Sequence, residues 1–433
     1  MSGRGGAQTR LTYEEAVAYL TGLGRFGIKQ GLERTQAILD ELGHPERGLR
    51  GALVAGTNGK GSTAAVLASI LRAAGLRAGT TPSPHLSSYT ERVQVDGRPI
   101  PEDEFAAAVD ALRPRLEPVI ARLGEPTEFE ILVTLALGWL GPRVDRLVVE
   151  VGMGGRLDST NVLDLGVAIV TNVSLDHRRH LGDTVGQIAA EKAAIVKAGD
   201  VVVTGASGSA LEVVEEAAAR AGAAAVWRLG REIAVRARSL GWEGSEVDVR
   251  GPGFEHRGLR LRLVGAFQPA NAALAVAAAH ALGDATPEAV TRGLDEARWP
   301  GRLERIGERL VVDGAHNPEG MRALVSSLRT LLDDEPVTVV FGAMADKDVK
   351  EILAELRGLE PEHVVFTAAG AAGLRAASPE ALADAWGRPS ERRSDSRAAL
   401  TRARELAGQD GWVVVCGSLY LVGEVREPPP DGC

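Results

Sequence analysis

The sequence predicts an α/β fold in two domains, each built around a mostly parallel β-sheet. The chain has 433 residues, which exceeds the size at which one hydrophobic core keeps growing. Short runs of valine and isoleucine without polar alternation recur between helical segments, a pattern typical of parallel strands buried on both faces. The segment Trp299–Arg302 interrupts this pattern, which then restarts. We therefore predict domains at residues 1–297 and 298–433.

The first domain is predicted to begin with helices and to continue with strands. Residues 13–42 show helical periodicity that is broken at Gly22–Gly24. Four apolar runs are the predicted strands, at residues 52–55, 147–151, 167–171 and 201–204. Residues 227–263 alternate polar and apolar side chains and predict a β-rich stretch, and residues 270–282 predict an alanine-rich helix.

The second domain repeats the alternation of strand and helix. Its predicted strands lie at residues 310–313, 337–341, 363–366 and 412–416. Its predicted helices include residues 323–332 and 396–406. The proline-rich residues 427–431 predict a tail without regular structure.

Composition limits the class of protein. The formal net charge of −9 argues against a surface for nucleic acid or anionic membranes. No apolar run is long enough to span a bilayer, and residues 1–10 lack the apolar core of a signal peptide. Two cysteines, Cys416 and Cys433, cannot form a disulfide framework. We expect a cytoplasmic protein.

A glycine-rich loop follows the first predicted strand. Residues 56–62 read Gly-Thr-Asn-Gly-Lys-Gly-Ser and precede a helix predicted to begin at Thr63. Strand, glycine-rich turn, lysine, hydroxyl and helix in this order form a phosphate-binding loop. Only Thr57 and Asn58 separate the first glycine from Gly59-Lys60, where four residues are usual. The loop is therefore a shortened variant.

Polar residues follow the other predicted strands of the first domain, where open α/β sheets bind ligands. Glu150 lies within an apolar strand and requires a partner. One interpretation is a divalent cation held by Glu150, His177 and a serine hydroxyl, and the other is a pair with Arg156 or another base. Lys192 by itself reads as an exposed helix lysine, and His180 as a surface residue.

The second domain has a similar group at Asp313–Pro318, after a buried strand and before a helix. Asn317 with Pro318 fits a helix cap with proline in the first turn, which leaves Asp313 and His316 for other roles. Arg302 lies beside the predicted linker. One interpretation is that it reaches phosphates across a cleft between the domains, and the other is that it is a surface residue.

The motifs taken together resemble the folylpolyglutamate synthase/dihydrofolate synthase family of Mur-type ATP-dependent ligases. In chain order they are residues 26–34, 55–62, 83–86, 90–92, 127–130, 150–162, 176–177, 191–193, 268–273, 300–304, 313–318, 341–348 and 417–420. The resemblance implies a P-loop ATPase domain like the central domain of Mur ligases, followed by a Rossmann-like domain. ATP would lie between them.

The resemblance also implies site residues. The ATP-binding set is Thr57, Asn58, Gly59, Lys60, Gly61, Ser62, Asn271, Arg302, Asp313 and His316. The metal ligands are Ser62, Ser83, Glu150 and His177, for two Mg²⁺ ions, with K⁺ as an optional further cation. The pteroate-binding set is Thr127, Glu128, Phe129, Glu130, Leu157, Asp158 and Ser159. Catalysis would rest on Lys60, His177 and Lys192, the last as an N-carboxylated lysine that helps to position the second Mg²⁺.

The implied reaction joins L-glutamate to dihydropteroate, to tetrahydrofolate species, or to both. A carboxylate attacks the γ-phosphate of ATP to give an acyl phosphate, and the amino group of glutamate then displaces phosphate. We expect a monomer. The alternatives are a folylpolyglutamate synthase alone, a Mur-type ligase for a nucleotide-sugar peptide, and an ATPase switch without ligase chemistry. The last alternative leaves Asp313–Pro318 unexplained.

Overall fold

An eight-stranded sheet lies at the centre of the first domain in the computed structural model, which describes residues 10–23 and 31–426. Its strands are β1 Gly51–Ala55, β2 Ala78–Thr81, β3 Gln94–Val95, β4 Arg98–Pro99, β5 Arg146–Glu150, β6 Gly166–Val170, β7 Val201–Thr204 and β8 Ala225–Arg228. They are arranged in the order β4-β3-β2-β5-β1-β6-β7-β8. All neighbours are parallel except β2–β3 and β3–β4, which are antiparallel.

Both faces of this sheet are buried, which explains why its strands read as unbroken apolar runs. In β1, Ala52 and Val54 belong to one hydrophobic core, and Leu53 and Ala55 belong to the other. The covering helices are α1 Tyr13–Leu23, α2 Glu33–Leu42, α3 Lys60–Ala73, α4 Glu102–Leu123, α5 Glu128–Leu140, α6 Arg178–Leu181, α7 Val185–Ala193, α8 Gly208–Ala221, α9 Gln268–Leu282 and α10 Pro287–Glu296. Helices α3, α9 and α10 pack together on one face.

A small antiparallel sheet is added to the α3/α9 side of the first domain. It contains β9 Ala234–Ser239, β10 Ser245–Gly251 and β11 Phe254–Leu261, with β10 in the middle. Its apolar face packs on α9 and α10. The β-rich stretch predicted at residues 227–263 is confirmed.

The second domain is a six-stranded sheet in the order β12-β13-β17-β14-β15-β16, parallel except for β12. The strands are β12 Glu304–Ile306, β13 Leu310–Val312, β14 Val337–Phe341, β15 His363–Phe366, β16 Glu391–Arg392 and β17 Trp412–Cys416. The helices are α11 Pro318–Leu331, α12 Val349–Leu356, α13 Pro379–Trp386, α14 Ser396–Ala407 and α15 Leu419–Val425. Its two cores contain buried residues from Leu303 onward. We propose the division at residue 298 as the domain boundary.

Some predicted boundaries were wrong, helix starts among them. Helix α3 begins at Lys60 rather than at Thr63, and α11 begins at Pro318, as the predicted Asn317 cap requires, rather than at residue 323. The first turn of each helix is polar or glycine-rich, so it lacks the apolar periodicity that marks the rest. The predicted tail at residues 427–431 lies outside the described residues. Within the described residues, no helix is both long and apolar enough to cross a membrane.

Candidate active site

A cavity of about 280 Å³ lies between the two domains. It is bounded by the carboxyl ends of β1, β5 and β6 on one side and of β13 and β17 on the other. Its lining comprises residues 56–62, 83–84, 150–154, 172, 176–177, 192, 267, 271, 302, 313–316, 319–320, 323 and 419. All ten predicted ATP-binding residues and all four predicted metal ligands are in this lining. The predictions therefore converge on one cavity.

The glycine-rich loop forms the floor of the cavity. Gly59 adopts a left-handed conformation with φ of 80°, and a Cβ on it would lie 2.3 Å from Asn271 Oδ1. A Cβ on Gly61 would lie 2.5 Å from the Trp299 ring. No side chain caps the start of α3. Its first amides and the positive end of its dipole are therefore placed to bind an anion.

Hydrogen bonds to the end of β6 fix the loop. The Asn58 amide donates to Asn172 Oδ1 at 2.8 Å, and Thr171 Oγ1 donates to the Asn58 carbonyl at 2.6 Å. Thr57 Oγ1 donates to the Ser174 carbonyl and accepts from the Ser174 amide. The Thr57 side chain thus holds the loop in place.

Two lysines meet at one carbonyl of this loop. Lys60 Nζ donates to the Gly56 oxygen at 3.2 Å, and Lys192 Nζ donates to the same oxygen at 2.9 Å. Lys192 is only 5% exposed, so its interpretation as a surface lysine is wrong. Burial, with the neighbouring Lys60 charge, lowers the pKa of Lys192 to about 7. Burial also lowers the pKa of Lys60.

Glu150 is the last residue of β5 and is buried beside the loop. It accepts a hydrogen bond from the Ser83 amide at 3.2 Å, and Ser83 Oγ accepts from Arg92 Nη1 at 2.9 Å. Burial raises the pKa of Glu150, an effect that the Lys60 charge opposes. The alternative partner Arg156 is paired with Glu191 at 2.9 Å instead. A cation or a cavity lysine is therefore the better partner for this carboxylate.

Asp176, which follows β6, is one of the residues of the first domain that contact the second domain. Lys347 Nζ lies 2.6 Å from Asp176 Oδ1, and Asn317 Nδ2 donates to Asp176 Oδ2 at 3.1 Å. Lys347 Nζ also donates to His177 Nε2 at 3.2 Å. Burial alone would raise the pKa of Asp176, but the Lys347 charge and the nearby His177 and His316 hold it well below its usual range. Burial lowers the pKa of His177 to about 4.

Sequence reasoning missed Lys347, although composition contained a signal. The chain has six lysines among 49 basic residues, and Lys60, Lys192 and Lys347 all lie in this region. Arginine fills almost every other basic position. Arginine cannot replace lysine where a compact ammonium must fit a small buried space or must give up its proton.

The second domain contributes Asp313, His316 and Arg302. Asp313 accepts from the Leu303 and Ala315 amides, each at 2.7 Å, and burial raises its pKa. His316 Nδ1 donates to the Gly314 carbonyl at 2.8 Å. In the neutral ring the proton is therefore on Nδ1, and Nε2 is unprotonated. Burial lowers the pKa of His316 to about 3. Arg302 lines the cavity and is not a surface residue.

The predicted cap of α11 is confirmed. Asn317 Oδ1 accepts from the Gly320 amide at 2.8 Å, and Pro318 occupies the first turn. The same side chain also bonds to Asn58, with Asn317 Nδ2 donating to Asn58 Oδ1 at 2.9 Å. The cap residue thereby links the helix to the phosphate loop of the other domain.

The chain matches known proteins along most of its length. Residues 54–279 match the Mur ligase middle domain, and residues 301–419 match the glutamate ligase domain of Mur ligases. It is 34% identical to the Bacillus subtilis dihydrofolate synthase/folylpolyglutamate synthase, covering 96% of this chain and 98% of the relative. The chain belongs to the folylpolyglutamate synthase/dihydrofolate synthase family. It is therefore an ATP-dependent ligase, as the sequence predicted.

Two further comparisons agree with this membership. A Mycobacterium tuberculosis folylpolyglutamate synthase solved with ADP and AMPPCP has a TM-score of 0.88 at 33% identity, covering 96% of this chain and 100% of that one. A probable bifunctional folylpolyglutamate synthase/dihydropteroate synthase of Haloferax volcanii is 40% identical over 96% of the chain. The chain spans only 50% of that relative's length.

The residues that family resemblance assigned to pteroate lie beside the cavity, outside its lining. Thr127 caps α5 reciprocally with Glu130, and Glu130 pairs with Arg34 at 2.9 Å. Glu128 accepts from the Tyr89 hydroxyl at 2.8 Å. The remaining predicted pteroate residues are Phe129, Leu157, Asp158 and Ser159. Pteroate binding by this set stays a prediction.

The structure also adds a residue on the nucleotide side. Gln268, the first residue of α9, donates through Nε2 to Ser62 Oγ at 3.2 Å and accepts from Asn271 Nδ2 at 3.1 Å. Ser62 is 2% exposed, so this amide orients its hydroxyl. In the sequence Gln268 was one letter of a motif without an assigned role.

Proposed function

We propose that this ligase adds L-glutamate to dihydropteroate and to reduced folates, and that the cavity between its domains is the site of both reactions. One observation carries the proposal. The uncapped start of α3 faces Arg302, Asp313 and His316 of the other domain across a single cavity. Hydrolysis of ATP brings only the nucleotide and water together, whereas a ligase must bring a carboxylate, a phosphate and an amine together. A cavity lined by both domains offers groups for all three.

ATP fits the floor of this cavity on two grounds. Glycines at 59 and 61 leave the loop backbone without side chains, and the amides at the uncapped start of α3 are placed to donate to phosphate oxygens. Lys60 and Arg302 would neutralise the charge that develops on the transferred phosphoryl group. Lys60 Nζ donates to the Gly56 and Thr57 carbonyls. Phosphate oxygens would replace these neutral acceptors.

Mg²⁺ fits the donor set beside Glu150. A buried carboxylate and the hydroxyls of Ser62 and Ser83 are oxygen ligands of the kind that Mg²⁺ prefers. The described residues contain no group of three or more His, Cys, Asp or Glu side chains within reach of one ion. Phosphate and water would therefore complete the coordination, as is usual for this ion. When bound, Mg²⁺ supplies positive charge to the β- and γ-phosphates.

Lys192 has the properties that N-carboxylation requires. A pKa of about 7 leaves a large neutral fraction at neutral pH, and only the neutral amine attacks CO₂. The product would be an anionic oxygen ligand in place of an ammonium that Lys60 repels. We therefore propose a carbamate at Lys192 that helps to hold a second Mg²⁺. K⁺ as a further cation, a monomeric state and a cytoplasmic location stay predictions.

The first test of this function is whether ATP turnover depends on the acceptor. We expect ADP release to be slow with ATP alone and to rise by about two orders of magnitude or more with dihydropteroate or tetrahydrofolate plus L-glutamate, because alignment of substrates supplies most of the rate. Coupled assays of ADP and phosphate, with mass spectrometry of the product, measure this. Omitting glutamate alone is the matched control. Turnover that ignores both substrates would refute the ligase function.

The Glu150→Gln variant tests the cation site. Glutamine keeps the shape but removes the charge, so we expect the Mg²⁺ concentration at half-maximal rate to rise by about 10-fold to 100-fold. A Mg²⁺ titration at saturating ATP measures it. Glu212→Gln, which removes an exposed carboxylate on α8, is the control. An unchanged titration for Glu150→Gln would remove Glu150 from the ligand set.

A further inference from the structure

A pair of tryptophans joins the two domains away from the cavity. Trp242 lies on the short turn Gly241–Glu243 between β9 and β10, and Trp412 is the first residue of β17. Their rings stack with centroids 5.4 Å apart and planes inclined by 17°. Trp242 packs against the hydrophobic core of the second domain, although it belongs to the first.

Charged side chains enclose this stack. The Arg305 guanidinium lies 5.8 Å from the centroid of each ring, and the Arg309 guanidinium lies 5.7 Å from that of Trp412. Trp412 Nε1 donates to Glu335 Oε2 at 3.0 Å. Arg305 belongs to β12, the first strand after the linker. The stack therefore adjoins the place where the chain crosses from one domain to the other.

The stack and the cavity lie at opposite ends of β17. Trp412 begins the strand, and Cys416 ends it at the edge that faces the cavity. Four residue steps of about 3.3 Å separate the two ends by about 13 Å. Neither tryptophan nor Arg305 is in the cavity lining. A ligand in the cavity would therefore not contact the stack, whose direct effect is on the placement of the domains.

We infer that Trp242 is a positioning residue of the ligase, which fixes the axis about which the two domains close on ATP. A linker alone lets two bodies rotate about any axis, whereas a linker with a second contact beside it leaves one axis free. The polar contacts of Asp176 and Asn58 lie at the cavity, where a ligand enters. The stack lies outside the cavity lining, so we expect it to persist with and without a ligand. The inference rests on the proposed function, because only a site shared by both domains requires this alignment.

The distance between the domains tests this inference without reference to activity. Spin labels at Arg220→Cys and Arg404→Cys, both exposed and one in each domain, report it after Cys433→Ser removes a competing thiol. We expect one narrow distribution that shifts as a whole when the ATP analogue AMPPCP is added. In Trp242→Ala and Trp242→Leu we expect the distribution to broaden in both states. Trp139→Ala removes a tryptophan that stacks with Arg143 inside the first domain and serves as the control.

Kinetics give the second readout. We expect Trp242→Ala and Trp242→Leu to lower kcat about twofold to tenfold, which is the effect of losing one aromatic pair. Trp242→Phe keeps an aromatic ring, so we expect its kcat to stay close to that of the wild type. Trp242→Leu keeps apolar burial, so it tests the stack even if the alanine variant fails to fold. A distance distribution in Trp242→Leu as narrow as in Trp139→Ala would overturn the inference. Because that result needs no turnover, it is separate from a failure of the ligase function.

Discussion

The Lys192→Ala variant is expected to fold normally and to lose ligase activity by about 100-fold or more, the effect of removing a group that orients charge in a catalytic site. The alanine removes the nitrogen that can carry the carbamate, together with its hydrogen bond to the Gly56 carbonyl. Initial rates at saturating substrates measure the loss. Thermal unfolding shows that the fold persists.

Two controls show whether the loss is specific to the Lys192 amine. Added bicarbonate should not restore Lys192→Ala, since alanine has no amine to react. Lys350→Ala, at an exposed position of α12, should behave like the wild type. A fully active Lys192→Ala would show that the carbamate assignment is wrong.

The lowered pKa of Lys192 gives this prediction a pH dependence with a definite sign. Below its pKa of about 7 the amine is protonated and cannot attack CO₂, and above it the neutral form dominates. Enzyme depleted of CO₂ should therefore regain activity faster as the pH rises through 7, provided that the partial pressure of CO₂ and hence its dissolved concentration are held constant at every pH. Recovery should level off above about pH 8, where roughly nine-tenths of the amine is neutral. A rate of recovery that falls over this range would contradict the proposal.

The Lys347→Ala variant is expected to have the second large effect. The Lys347 and Asp176 side chains are each 8% exposed, so alanine leaves a buried carboxylate without its main charged partner. Removing one member of such a pair costs about 3 kcal/mol or more. Because the two residues lie in different domains, we expect the cost as a loss of kcat/KM of about 100-fold or more, rather than as unfolding of either domain.

A double-mutant cycle with Asp176→Asn isolates the pair. We expect the double variant Asp176→Asn/Lys347→Ala to be less impaired than the sum of the single changes, with a coupling of about 2 kcal/mol. Lys347→Arg should not restore activity, since its larger planar group does not fit the same space. Additive losses would mean that Lys347 and Asp176 do not act as a pair.

Most strands of the fold could be predicted because they are buried on both faces. The runs at 201–204, 337–341, 363–366 and 412–416 match β7, β14, β15 and β17 without error. The two-residue strands β3, β4 and β16 were missed, since so short a segment carries no period of its own. The predicted start of α3 was three residues too late, because its first turn is polar and lacks the apolar periodicity that marks a helix.

The site residues divide in a similar way. Family motifs named the cavity residues, but they could not show which contacts cross between the domains. Lys347 and Gln268 stood in those motifs without a role until the structure placed them 2.6 Å from Asp176 and 3.2 Å from Ser62. Their role depends on pairs separated by 171 and 206 residues.

The sequence by itself determined the two-domain α/β class, the family and the shortened phosphate loop at residues 56–62. These are local properties, since periodicity, glycine spacing and motif order need only neighbouring residues. Tertiary structure alone decided that Lys192 is buried with a lowered pKa and that Lys347 pairs with Asp176 of the other domain. It also decided that Trp242 stacks on Trp412. The burial and charge environment of a side chain depend on residues that are distant in sequence and close only in the folded chain. No single segment of the sequence therefore predicts them.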